Sequence, residues 1–180
     1  GIRLDGSVGK SFAYGAQYGR FIVQGNADTR ACIRLSGADV VFGGEVTEPL
    51  RDELGALATR ANLKGYACEY MTSGRVLVMG DPGPWMCAGM SGGSFYQRIQ
   101  PEMNLTVEAI KRRIAKGAIV NLFPLDEQGI DDIHDLLGHY IYTLATNNQG
   151  EAAARLQPLY DNPQDHFVLV APPARKKAAS

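Results

Sequence analysis

Three cysteines, Cys32, Cys68 and Cys87, are the side chains best suited to nucleophilic or metal chemistry in this 180-residue chain. Each lies beside an alanine in a small-residue stretch. Stacked as a row of thiolates they would still lack the fourth, tetrahedrally placed ligand that zinc wants. Cys68-Glu69 puts a carboxylate next to a nucleophile, but neighbours along a strand point to opposite faces. His134 and His139 are five apart, not the i, i+4 pair that shares a metal on one helix face. Gly6-Ser7-Val8-Gly9-Lys10-Ser11 ends like a phosphate loop, yet the first glycine of that pattern would fall on Leu4. Asp39, Glu45, Glu69 and Asp81 lie near turns without forming a clear acidic row of the kind glycoside hydrolysis needs. These residue types predict no catalytic, cofactor-binding or metal-binding residue in this chain.

The elements that would carry these side chains are periodic. Gly19, Gly37, Gly55, Gly74 and Gly92 recur 18 or 19 residues apart, each closing a small-residue turn before a short apolar run. Ala31-Cys32 followed by Ser36-Gly37 and Val40-Val41-Phe42 is copied by Ala67-Cys68, Ser73-Gly74 and Val76-Leu77-Val78; a weaker copy spans Met86 to Gly92. A fixed period of this length suits stacked supersecondary units that cannot bury an apolar face alone. The expected fold is mainly β: a right-handed single-stranded β-helix, or solenoid, with a C-terminal helical hairpin as its cap. Gly19, Gly37, Gly74 and Gly92 are its structural turn glycines. The Gly55 repeat is ambiguous between a true coil and a helical insertion over 48–62, where Leu50, Leu54, Leu57 and Ala61 hold helical spacing.

The domain boundaries read from the chain are 1–123 for the repeats, 124–170 for a helical cap and last strand, and 171–180 for a mobile polar tail. Thr106 can cap a helical insertion over 107–116 that ends in Lys111, Arg112, Arg113 and Lys116. Trp85 follows the rigid Pro82-Gly83-Pro84 bend, and with Arg112 and Arg113 it makes a candidate partner interface. Residues 130–146 hold one apolar face; a shorter helix from about Glu151 stops at Pro158. Ile2-Arg3-Leu4, Arg20 to Val23, Ala118 to Phe123 and Phe167 to Val170 read as strands. Glycine is abundant, 21 residues, but 45% of the chain is apolar, so the glycines mark bends and not disorder. The formal net charge of −1 gives no footprint for nucleic acid or membrane. An odd number of cysteines at inward repeat positions, which suggests reduced, buried thiols, and the absence of a long apolar run point to a cytoplasmic protein.

Residues 6–28, 31–44, CEYMTSGRVLVMG (68–80) and CAGMSGGSFY (87–96) resemble the Gly-x-x-Gly-x-x-x-Gly domain at the carboxy-terminal end of the glutamate synthase large (α) subunit. The likeness continues through NLFPLDEQGIDDIHDLLGHYIYTLATNNQGEAAARLQ (121–157) and HFVLVAP (166–172). The chain departs from it in the short Asn26-Ala27-Asp28 element and in having fewer repeats. The resemblance implies a non-catalytic scaffold domain or subunit of a multi-component amidotransferase or oxidoreductase of nitrogen metabolism. FMN and an iron–sulfur cluster would then sit in flavin-binding synthase and glutaminase-type partner subunits, with none in this chain. A related repeat occurs in the C-type subunits of formylmethanofuran dehydrogenase and of the formyltransferase/hydrolase complex, a second reading. A free-standing carbohydrate-active or carbohydrate-binding module is a third.

Overall fold

The computed structural model describes residues 6–173. Ile2-Arg3-Leu4 and the basic end of the tail lie outside them. Six strands form one mixed sheet: β1 (Arg20–Val23), β2 (Ser36–Phe42), β3 (Ser73–Val78), β4 (Ser94–Arg98), β5 (Asn121–Pro124) and β6 (Phe167–Ala171). Their order is β1-β2-β3-β4-β6-β5. The first four are parallel, with Val40, Val76 and Phe95 in one register row and Val41, Leu77 and Tyr96 in the next. β6 then adds antiparallel to β4, pairing Phe95 with Val170, and β5 adds antiparallel to β6.

This corrects the expected fold class. The chain is mixed α/β, not a single-stranded β-helix with a cap. The predicted step holds between β1 and β2, where Arg20 pairs with Asp39, and between β3 and β4, where Arg75 pairs with Ser94. But β2 and β3 are two steps apart, Val40 pairing with Val76, because the Gly55 repeat supplies no strand; each of the other repeats contributes one regular strand. The last strand closes the β4 edge from the opposite direction, which hides the unpaired backbone groups an open edge would present. The sequence boundary at 123/124 falls within β5.

The helices are α1 (Val107–Arg113), α2 (Glu127–Thr146), α3 (Gly150–Asp161) and α4 (Pro163–His166). Thr106 and Asp126 cap α1 and α2 by accepting from the Ala109 and Gly129 amides. α3 runs through Pro158 to Asp161. α2 and α3 lie across one face of the sheet, where Ile133, Leu136, Leu137 and Tyr140 meet Val41, Leu77, Met79 and Tyr96. Val40, Val76, Val78 and Phe95 face the other way, into the core formed with the turn layer. The strand runs are continuously apolar because both faces are covered. Each large side chain so buried contributes about 1.5–3 kcal/mol.

The 48–62 segment is neither a coil nor a long helix. Away from the sheet it makes one 3₁₀ turn at Asp52–Leu54, and the chain rejoins the preceding repeat at Leu63, which bridges to Ala27. Leu54, expected on an apolar helix face, is 64% exposed.

Candidate functional site

Opposite the sheet, each repeat passes through a turn of unusual backbone. φ is +66°, +59° and +53° at Arg30, Cys32 and Arg34, +59°, +58° and +54° at Tyr66, Cys68 and Tyr70, and +63°, +63° and +65° at Trp85, Cys87 and Gly89. A left-handed residue with a side chain costs about 1–2 kcal/mol. Hydrogen bonds between successive repeats oppose that cost. The Arg30, Arg34 and Tyr66 amides donate to the Gly65, Glu69 and Pro84 carbonyls at 2.8–2.9 Å, and Cys68 and Cys87 donate back to Ala31 and Ala67 at 2.8 Å. The central cysteine of each turn points inward and is fully buried; the residues two before and two after it are exposed.

The thiols are therefore hidden. The Cys32 contact and burial push the Cys68 thiol well above the usual thiol range, and burial does the same to Cys87. All three are free cysteines. Raised, buried thiols are poor nucleophiles. Among the described residues no group of three or more His, Cys, Asp or Glu is placed to hold a metal ion.

Two ion clusters organise the rest. On the sheet face under α2, Arg75 donates to Asp39, Asp132 and Asp135, and Arg20 donates to Asp39 and Asp135. Tyr96 Oη donates to Asp132. This network fixes α2 against β1–β4. At the opposite margin Arg113 is fully buried, forked onto Asp81 and reaching Asp52. Asp81 in turn accepts from the Gly83 amide, while the Asp81 amide donates to Asn62 and the Asn62 side chain donates to Asn26. A cavity of about 620 Å³ lies between this polar ladder and the 45–60 loop.

The candidate interface residues separate accordingly. Arg113 is not on the surface: its charge is spent inside, on Asp81 and Asp52. Arg112, beside it, is half exposed and pairs with Asp52 at 2.8 Å. Trp85 is 49% exposed. Trp85 and Arg112 line one groove of about 480 Å³ with Leu57, Pro84, Ile114 and Lys116. Of the predicted turn glycines, Gly37 and Gly74 lie within β2 and β3 and not in turns, and Gly37, Gly74 and Gly92 fall at close approaches of neighbouring repeats. A Cβ on Gly37 would strike the Gln17 carbonyl, one on Gly92 the Thr72 carbonyl, and one on Gly74 the Ala38 carbonyl. Gly19 (φ +91°) and Gly74 (φ +97°) also have left-handed backbone, whereas Gly37 and Gly92 do not. Gly19 has room for a side chain, so its requirement is conformational alone.

Sequence reasoning missed the exposed flanks of the cysteines. The signal was present in the spacing: Arg-Ala-Cys-Ile-Arg (30–34) and Tyr-Ala-Cys-Glu-Tyr (66–70) carry the same residue type on both sides of the buried thiol.

The family model described as the GXGXG motif matches residues 52–173, about two thirds of the chain, and the chain belongs to that family. It is 32% identical over 165 residues to the glutamate synthase [NADPH] large chain of Bacillus subtilis (strain 168), covering 92% of this chain and 9% of that one. It is 30% identical over 128 residues to the ferredoxin-dependent glutamate synthase of Cyanidium caldarium, covering 68% of this chain and 7% of that protein. A shorter likeness, 35% over 89 residues, links it to the glutamate synthase [NADH] of Schizosaccharomyces pombe, covering 49% of this chain and 3% of that one. The chain thus spans less than a tenth of the length of these relatives. Among the described residues no helix is long and apolar enough to cross a membrane.

Proposed function

We propose that this chain is a non-catalytic structural part of a glutamate synthase-like assembly, holding separate catalytic units in a fixed relation. The observation that carries the reading is the alignment over 92% of the chain to 9% of a glutamate synthase large chain. A piece of that size within such relatives acts as a module of something larger. Its own chemistry agrees in kind: the thiols are buried and both arginine clusters are occupied by carboxylates inside the fold. The glutaminase and synthase reactions, FMN and the iron–sulfur cluster would then belong to partner subunits. Three free, buried cysteines fit work in a reducing compartment such as the cytoplasm.

The test is native purification from the source cells, with subunit masses and a visible spectrum. Co-migration in a large complex with flavin absorbance is the expected result. A colourless chain travelling alone would overturn the reading.

A further inference from the structure

The exposed flanks of the three buried cysteines form two rows on one face. Arg30, Tyr66 and Trp85 occupy equivalent places in successive repeats, and the Arg30 guanidinium lies 5.7 Å from the centre of the Tyr66 ring. Arg34 and Tyr70 form the second row, where the Tyr70 ring lies over Gly89, in the space a Cβ there would fill. Tyr66, Tyr70 and Trp85 are 39%, 57% and 49% exposed. Among the described residues neither Arg30 nor Arg34 makes an ion pair, although most other arginines do.

We infer that this Arg–Tyr–Trp face is a docking surface for an acidic segment of a partner protein. Three lines support it. Tyr, Trp and Arg are the residue types that dominate binding at protein interfaces, because they bring large area at low entropic cost together with a polar end. The backbone beneath them is held by a hydrogen-bond ladder, so the rows are ordered before anything binds. Among the described residues Arg30 and Arg34 have no carboxylate partner, on a chain whose overall charge is −1, which sets the sign of the complementary surface. The inference rests on the assembly proposed above and specifies which face of the chain meets it.

Photo-crosslinking tests it in the source cells. A benzoylphenylalanine replaces Tyr66 or Tyr70 in turn, with Tyr142 on α2, 68% exposed, as a control position. The expected result is one crosslinked partner from positions 66 and 70, attached through a segment rich in Asp and Glu, and none from 142. That partner is then purified, and its affinity measured against wild type, R30E/R34E and R30K/R34K. The charge reversal should weaken binding by roughly tenfold or more, with wild-type affinity falling as salt rises and the lysine variant largely retained. An unchanged thermal midpoint for R30E/R34E separates lost binding from lost fold.

A complex that forms with full flavin absorbance but crosslinks only elsewhere would overturn this inference and leave the scaffold reading standing. So would a crosslink to a second copy of this chain, whose 125–166 segment holds eight carboxylates against one arginine. A chain that travels alone would remove both.

Discussion

Arg113 and Asp81 form a buried, two-pronged ion pair, with Nε 2.6 Å from one carboxylate oxygen and Nη2 3.0 Å from the other. The pair joins the end of α1 to the turn after β3, and Asp52 completes it from the 45–60 loop. A surface arginine would have been expendable; this one closes the margin of the core.

Truncating Arg113 to Met leaves Asp81 buried without its partner. Breaking one side of a buried pair costs about 3–5 kcal/mol. R113M should lower the denaturant midpoint sharply, whereas R112M, which removes a half-exposed side chain, should cost only about 0–1 kcal/mol. Equal losses in the two variants would count against the buried pair as the main tie.

Acid should loosen the same tie. The hydrogen bonds from Arg113, then those from Arg112, hold the Asp52 carboxyl down at about 2, against 3.8 unperturbed. Because the folded value is the lower one, this contribution is complete above pH 3.8 and disappears as pH falls toward 2. Its size is about 2 kcal/mol at most. Urea midpoints measured from pH 6 to pH 2 should converge between wild type and D52N at the acid end. A constant gap would show that Asp52 does not titrate against the fold. Asp39 and Asp135 are also held below the usual carboxylate range, Asp39 against the opposing effect of its burial by Arg75 and Arg20, Asp135 first by Arg20. The α2 attachment should therefore weaken in the same direction.

Gly92 and Gly150 make a matched pair of substitutions. A Cβ at Gly92 meets the Thr72 carbonyl of the repeat below, and backbone must move. A Cβ at Gly150 meets nothing within 4 Å, at the start of α3. G92A should destabilise by about 1–3 kcal/mol, as overpacking does, and G92V should aggregate. G150A should be neutral or raise stability by about 0.5–1 kcal/mol. Thermal unfolding of the two variants side by side decides the matter; a stable G92V would sink the close-approach argument.

The cysteines should be silent until the protein unfolds. With all three side chains fully buried, a thiol reagent should label none of them in native buffer and all three in denaturant. Rapid native labelling of Cys68 would contradict its burial. C68A should be milder than C68V, because a β-branched residue tolerates the +58° φ of this position poorly.

The sequence alone determined the step that pairs Arg20 with Asp39 and Arg75 with Ser94, and most of the elements. Short-range signals carry these: Thr106 caps α1 by its own side chain, the apolar stripe of 130–146 can satisfy only a helix, and Val76-Leu77-Val78 can be buried only as a strand. Tertiary structure decided what covered those elements. A continuous apolar run does not say whether its second face meets a neighbouring repeat or a helix, so the α2–α3 layer over Val41, Leu77 and Tyr96 was not readable from it. Nor does a cluster of basic residues say which one turns inward; Arg113 is chosen by Asp81 and Asp52, 32 and 61 residues away in sequence. The left-handed turns that set Arg30, Tyr66 and Trp85 in one row were likewise hidden. Non-glycine residues avoid that backbone unless hydrogen bonds from adjacent repeats hold them there, and those bonds exist only once the repeats have stacked.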